Sequence, residues 1–340
     1  MAVIKDVAAH AGVSVGSVSR YLNFPNELKE ETRKKIEAAI TELNYCPSPL
    51  ARSMRTGTTG VIAVAVPEIV NPFFAETYSA IHRVAGARGL STILYTTDSN
   101  LATLKECLSE RSVRQVDGAI LCFLDEDEAV ADYLGTVAKT IPIVLLSRDL
   151  AVTRFDSVVV DVFSGMKTSA SHLAAIGRKR IAYVGGPSHN KISSDKHMGY
   201  LRALEQYDLQ SDPDLVSRGE FSMKSGYAAA RRFMMLPNPP DGIVAENDIL
   251  AMGCMKFLLQ SKCQVPEQVA LCGFDNIGLA AMYEPSLTTI AIPIESMAIA
   301  AIEMMSRSIH KRTTKHTQSI LPTELIVRRS TDPQVPVILD

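Results

Sequence analysis

The first sixty residues carry a helical rhythm of apolar positions. Ile4, Val7, Ala8 and Ala11 recur at helix spacing, Gly12-Val13 interrupts, and Val15, Val18 and Leu22 resume the period. The pattern predicts two short helices meeting at a tight turn. Gly12 supplies the positive φ that ends the first helix, and Ser14 caps the second. A third helix is predicted over 30–44, with Ile36, Ala39, Ile40 and Leu43 on one face. Glu30 and Glu31 suit its N-terminal dipole, although Lys29 stands where a Ser or Thr cap is expected. Residues 45–57 then open with two prolines and close with a glycine; they suffice for about two turns of helix, too short to stand without a partner.

From Gly60 the rhythm changes to short apolar runs alternating with amphipathic stretches. Strands are predicted over 61–66, 90–96, 118–123 and 141–146, with helices over 71–88, 102–114 and 126–139. A second set begins near Ser157: strands over 181–185, 242–245 and 269–274, helices over 163–176, 195–207, 224–235 and 248–261. Residues 287–290 lead into a helix over 294–309 and a last extended piece over 320–329. The expected class is α/β: a helix-turn-helix head, a linker, and two lobes built on doubly wound parallel sheets. The expected division is a head over 1–46, a hinge over 47–59 and a two-lobed unit over 60–340. In that unit the N-lobe takes 60–160 plus 292–320, and the C-lobe takes 161–291 plus 321–340.

Composition narrows the class without choosing a function. In 340 residues, 46% are hydrophobic and 21% charged, a profile of globular proteins. Net charge is −2, but residues 1–57 carry +2 and the remainder −4, a weak asymmetry compatible with phosphate contact at the head. No apolar run approaches the ~20 residues of a membrane span, and the N-terminus lacks a basic-then-apolar leader, so a cytoplasmic protein is expected. Six cysteines are scattered without CxxC or Cys/His spacing, which indicates neither a zinc site nor a disulfide framework. Strand ends carry no GxGxxG, Walker A or GxSxG, and His82, His172, His189 and His197 stand singly. No cofactor and no catalysis are expected.

Two groups of residues can carry recognition. In the second helix of the head, Arg20 can pair bidentately with guanine, or else contact phosphate or Asp6; Ser14, Ser17 and Asn23 are candidate phosphate contacts or caps. In the α/β unit, Asn247 and Asp275 follow strand ends, where a doubly wound sheet opens its ligand crevice, and Asp248 is expected to cap the next helix. Asn71, Phe73 and Phe74, with Phe221, supply candidate walls, and Asp161 is a further candidate at a strand end.

The motifs IKDVAxxAGVS, VSRxLN, NYxPSPLARSMRTG, NPFF, HLxxxGRKRIAYVGGP, NDxxAMG, LCGFDN and PSLTTI, in this order, resemble the lactose/galactose repressor family of bacterial transcription regulators. The resemblance covers essentially the whole chain. It implies a dimer or tetramer with two heads on a pseudo-palindromic operator in double-stranded DNA, a hinge helix in the minor groove, and a small-molecule effector between lobes of periplasmic-binding-protein-like fold. By the same resemblance, Val15 and Gly16 occupy base-reading positions, and Met54 takes the place of the minor-groove wedge, flanked by Ser48, Ala51 and Arg55. Lys196 replaces the arginine that clamps the effector, and Ser147-Arg148 stand where an acidic residue often follows the strand. An electropositive cleft and an anionic sugar acid or sugar phosphate are therefore expected. A purine is disfavoured by the absence of tryptophan. No heptad tail follows Arg329, which favours a dimer over a tetramer. The rival reading is a transporter's solute-binding protein, which shares the two-lobed cleft but calls for a secretory leader and no helix-turn-helix.

Overall fold

A computed structural model describes residues 2–45, 58–122, 128–146, 154–187, 191–310 and 316–336. The hinge candidates Ser48, Ala51, Met54 and Arg55, and the cleft candidates Ser147 and Arg148, lie outside these residues, as does the side chain of Asn23. The chain divides into two units, Met1–Gly60 and Val61–Asp340.

In the first unit α1 (Ile4–His10), α2 (Val15–Asn23) and α3 (Glu30–Glu42) enclose Val7, Val18 and Ile36, all fully buried, with Ala8 and Ala39 beside them. Each such branched side chain contributes roughly 1.5–3 kcal/mol by leaving water. Gly12 has φ +63, and the Val13 N–H bonds back to the Ala8 carbonyl at 3.0 Å, which closes the turn. Ser14 Oγ accepts from the Ser17 N–H at 3.1 Å and so caps α2, as its sequence position anticipates. Lys29 supplies no side-chain cap to α3. Val15 departs from the apolar rhythm: it is 42% exposed and faces outward, one residue past the cap.

The second unit begins with β1 (Val61–Val66), whose uninterrupted apolar run is buried on both faces. Then follow α4 (Pro72–Ala87), β2 (Ser91–Thr96), α5 (Leu101–Cys107), α6 (Glu110–Val113), β3 (Gly118–Cys122), α7 (Glu128–Val137), β4 (Ile143–Leu146) and β5 (Asp156–Val160). The chain continues through α8 (Val162–Ala175), β6 (Ile181–Gly185), α9 (Lys191–Gln206), β7 (Val216–Arg218), α10 (Met223–Met234), β8 (Gly242–Ala245), α11 (Asp248–Gln260), β9 (Ala270–Asp275), α12 (Gly278–Met282), β10 (Thr288–Ala291), α13 (Ile294–His310), β11 (Gln318–Leu321) and β12 (Glu324–Ile326).

Two six-stranded sheets result, ordered β11-β5-β4-β3-β1-β2 and β12-β10-β9-β8-β6-β7. All pairings are parallel except β10 with β12. The chain crosses between lobes after β5, after β10 and after β11. Several expectations shift. The strand near Ser157 lies in the first sheet between β11 and β4, with Asp156 opposite Val144, and does not open the second. The helix expected over 102–114 breaks into α5 and α6 around Ser109. The last extended piece starts earlier, at Gln318, and divides between the two sheets because its halves pair with strands of different lobes. The short edge strand β7 was not anticipated, and α9 starts four residues before the expected position, with Lys191 and Asp195 paired at 2.8 Å across its first turn.

Candidate functional site

Two surfaces gather the candidate residues. On the head, α2 turns Val15, Gly16 and Arg20 outward, and Ser14 and Ser17 are engaged with each other, Oγ to Oγ at 2.9 Å. Asp6, the alternative partner of Arg20, instead accepts from the Val3 N–H at 2.8 Å and closes the start of α1. Thus α2 offers an exposed N-terminal turn with one long cation a turn further on, the shape of a major-groove reader.

In the second unit a cleft of about 370 Å³ opens at the carboxyl ends of both sheets. From the N-lobe, Asn71, Phe73 and Phe74 line it; from the C-lobe, Lys196, Phe221, Asn247 and Asp275 do. The parallel strands direct their following loops to this end, which is why residues distant in sequence meet here. Asn71 and Asn247 each hold a helix start: Asn71 Oδ1 accepts from Phe73 N–H at 3.1 Å, and Asn247 Oδ1 from Leu250 N–H at 2.8 Å. Each amide nitrogen is left to donate elsewhere. Phe221 lies so close to Gly186 that a Cβ there would stand 2.1 Å from its ring, so only glycine permits this placement of the wall.

Asp161 is not part of the cleft lining. Its Oδ1 caps α8 by accepting from Ser164 N–H at 3.0 Å, and its neighbour Val162 lines the cleft instead. Nor does Asp248 cap α11. It is fully buried and accepts from Thr289 Oγ1 at 2.6 Å and from Ile277 N–H at 2.9 Å, while burial pushes its carboxyl up to about 7.

The expected positive cleft rests on Lys196 and Arg148, of which only Lys196 lies among the described residues. Among the described residues, Glu68, Asp98, Glu246 and Asp275 line it against the single cation Lys196. Glu246, which sequence reasoning missed, is fully buried; it accepts from Tyr183 Oη and from Ser193 Oγ (2.6 Å), with the Arg218 guanidinium at 3.6 Å. Burial, then the Glu246 charge, pushes the Tyr183 phenol up. Lys196 Nζ donates to the Glu246 carbonyl at 2.6 Å and sits 3.7 Å from the centre of the Phe274 ring. Burial pulls the Lys196 ammonium down, against the opposing pull of Asp275 and Glu246.

Asp275 ends β9 with φ +110, a conformation strained for a residue with a Cβ. It is 6% exposed, and among the described residues no donor reaches its carboxylate. Burial raises its proton affinity well above the ordinary range, with Lys196 acting the other way. A buried, strained, unpartnered acceptor at the floor of a cleft with aromatic walls is arranged to take hydroxyl or amine hydrogens from a ligand.

Of the single histidines, His189 lies outside the described residues; His82 Nδ1 meets Thr92 Oγ1 at 2.8 Å, His172 Nε2 meets Thr331 Oγ1 at 2.9 Å, and His197 stacks on Tyr200 and packs at a tilt against Tyr183. Burial pushes the Cys254 and Cys272 thiols up to about 12. Among the described residues, no three His, Cys, Asp or Glu side chains gather as a metal site, and no helix is long and apolar enough to cross a membrane.

A helix-turn-helix head on one unit and a two-lobed cleft on the other define the class as a single-chain regulator with its own sensor. Residues 3–48 match the bacterial regulatory proteins of the lacI family, and residues 170–331 match the periplasmic binding protein-like domain. The chain is 31% identical over 331 residues to the ribose operon repressor of Halalkalibacterium halodurans, covering 97% of each. It is also 31% identical over 332 residues to the HTH-type transcriptional repressor PurR of Yersinia enterocolitica, again covering 97% of each. The solved structure of the transcriptional regulator CelR in complex with cellobiose is 29% identical, with a TM-score of 0.73 over 97% of this chain and all of that one. This chain belongs to the lacI family of bacterial regulatory proteins.

Proposed function

We propose that this chain is a transcriptional repressor that grips a pseudo-palindromic operator as a homodimer, with its affinity set by a sugar or sugar derivative in the cleft. In this reading the head is 1–46, the hinge 47–59 and the sensor 60–340, and the protein works in the cytoplasm, where its DNA is. Arg20 reads a base edge, Val15 meets a thymine methyl, and Gly16 leaves room for the groove. Ser14, Ser17 and Asn23 lie at the phosphates. Met54, with Ser48, Ala51 and Arg55, enters the minor groove through the hinge.

The observation that carries the sensor reading is the unpartnered Asp275 carboxylate at the cleft floor. With Asn71 and Asn247 offering amide donors, Phe73, Phe74 and Phe221 offering apolar faces, and Lys196 already bonded within the protein, the cleft suits a neutral polyhydroxy ligand. The surplus of carboxylates in the described lining speaks against an anion. The relatives named for ribose and cellobiose point to the same ligand class. A solute-binding protein would use such a cleft but has no use for the head, and the relatives are regulators rather than enzymes.

The experiment is calorimetric titration of the purified chain with D-ribose, cellobiose, gluconate and a sugar phosphate, paired with a gel shift on its own upstream DNA. Binding of a neutral sugar that changes the shift supports the reading. Binding of the anions alone contradicts the ligand class, and no shift on any promoter fragment contradicts the DNA role.

A further inference from the structure

The segment that follows Asp275 is pinned at three successive residues by three charged side chains. Arg328 Nη2 donates to Asn276 Oδ1 at 2.8 Å, and Asp248 Oδ2 accepts from the Ile277 N–H at 2.9 Å. Both pins come from the C-lobe, and with Asn276 at φ +58 they fix an otherwise strained turn. The third comes from the other lobe: Glu76 Oε1, on α4, accepts from the Gly278 N–H at 3.0 Å.

Glu76 stands one turn beyond Phe73 and Phe74 on the same helix. The bond therefore joins an N-lobe element that walls the cleft to the C-lobe turn that carries its acceptor. A ligand drawn to Phe74 and Asp275 loads both ends of this bond at once. The Glu76 charge also faces Asp275 electrostatically.

We infer that the Glu76–Gly278 hydrogen bond is a latch between the lobes. Through it the turn carrying Asp275 sets the interlobe angle, which makes Glu76 a positioning residue for the effector response. The inference deepens the sensor reading above and rests on it for its biological meaning, but the latch itself is testable without ligand or DNA.

The bond can be removed from either side. Glu76→Ala deletes the acceptor. Gly278→Pro deletes the donor at the first position of α12, where proline is well tolerated and where Ile277 is already extended. Glu76→Gln keeps an acceptor oxygen and removes only the charge. Spin labels at Thr136→Cys on α7 and Lys256→Cys on α11, with Cys46 and Cys263 changed to serine and labelled protein diluted into unlabelled, report the interlobe distance within one full-length chain. Glu76→Ala and Gly278→Pro are each expected to lengthen and broaden that distance, and Glu76→Gln to leave it as in the parent. An unchanged distance in both Glu76→Ala and Gly278→Pro overturns the latch. Failure of the parent to bind operator DNA contradicts the repressor reading and leaves the distance result standing.

Discussion

The ammonium of Lys196 spends its strongest hydrogen bond on the backbone carbonyl of Glu246, 2.6 Å away, and lies against the face of Phe274. It is a strut inside the C-lobe as much as a lining group of the cleft. A lysine fits this place because its point charge needs one acceptor and a ring, whereas a guanidinium demands several acceptors in a plane. Lys196→Met should retain the contact with Phe274 and lose the bond. It should lower thermal stability by about 1–3 kcal/mol, readable by denaturant titration, and leave an anionic ligand no tighter or weaker than before.

Tyr183 and Ser193 hold the Glu246 carboxylate from two elements, β6 and α9, while Arg218 approaches from β7. Tyr183→Phe removes one donor from a fully buried carboxylate and should destabilise the second unit by about 1–3 kcal/mol. Urea denaturation of the parent and the variant measures this; equal midpoints would show that Glu246 does not depend on the phenol.

Arg20→Ala should weaken operator binding by about 1–3 kcal/mol and relax preference at one base pair of each half-site. Fluorescence anisotropy against single-base operator variants checks it. If every variant weakens equally and the salt dependence becomes shallower, Arg20 is a phosphate contact instead.

Asp248 makes stability depend on pH with a definite sign. Its carboxyl moves from an ordinary 3.8 to about 7 in the folded chain. Below the ordinary value both states hold the proton. Between the two values the unfolded chain ionises while the folded chain keeps its proton, so stability falls as pH rises through this window and levels off above it. Asp275 acts in the same direction. Melting temperatures across this range should fall less steeply for Asp248→Asn than for the parent, from a lower acid plateau because the amide accepts poorly from both Thr289 and Ile277.

Much of this architecture is legible before any coordinates, because strict periods announce it: the broken helical rhythm around Gly12, the solid apolar run of β1, and Asn-Pro opening α4. What stays hidden depends on pairings made far along the chain. Glu246 reads as one more polar residue at a strand end until Tyr183 and Ser193 fold over it. The lobe boundary near 320 is expected, but that both sides of it pair as strands, β11 with β5 and β12 with β10, depends on partners far away in the sequence. Lys196 reads as a free cation of the cleft until its bond to the Glu246 carbonyl is seen. Asp161 and Asn247 follow strand ends alike, yet one only caps a helix and the other both caps and lines the cleft.

The central claim is that occupancy of the cleft, read by Asp275, decides how firmly the heads hold DNA. The most direct test is anisotropy titration of the chain's own upstream operator with the parent and Asp275→Ala, each with and without the neutral sugar that titration identifies. The expected result is parental operator affinity in the variant without sugar, and a sugar-dependent change in the parent that the variant lacks. An equal sugar response in both proteins would contradict it.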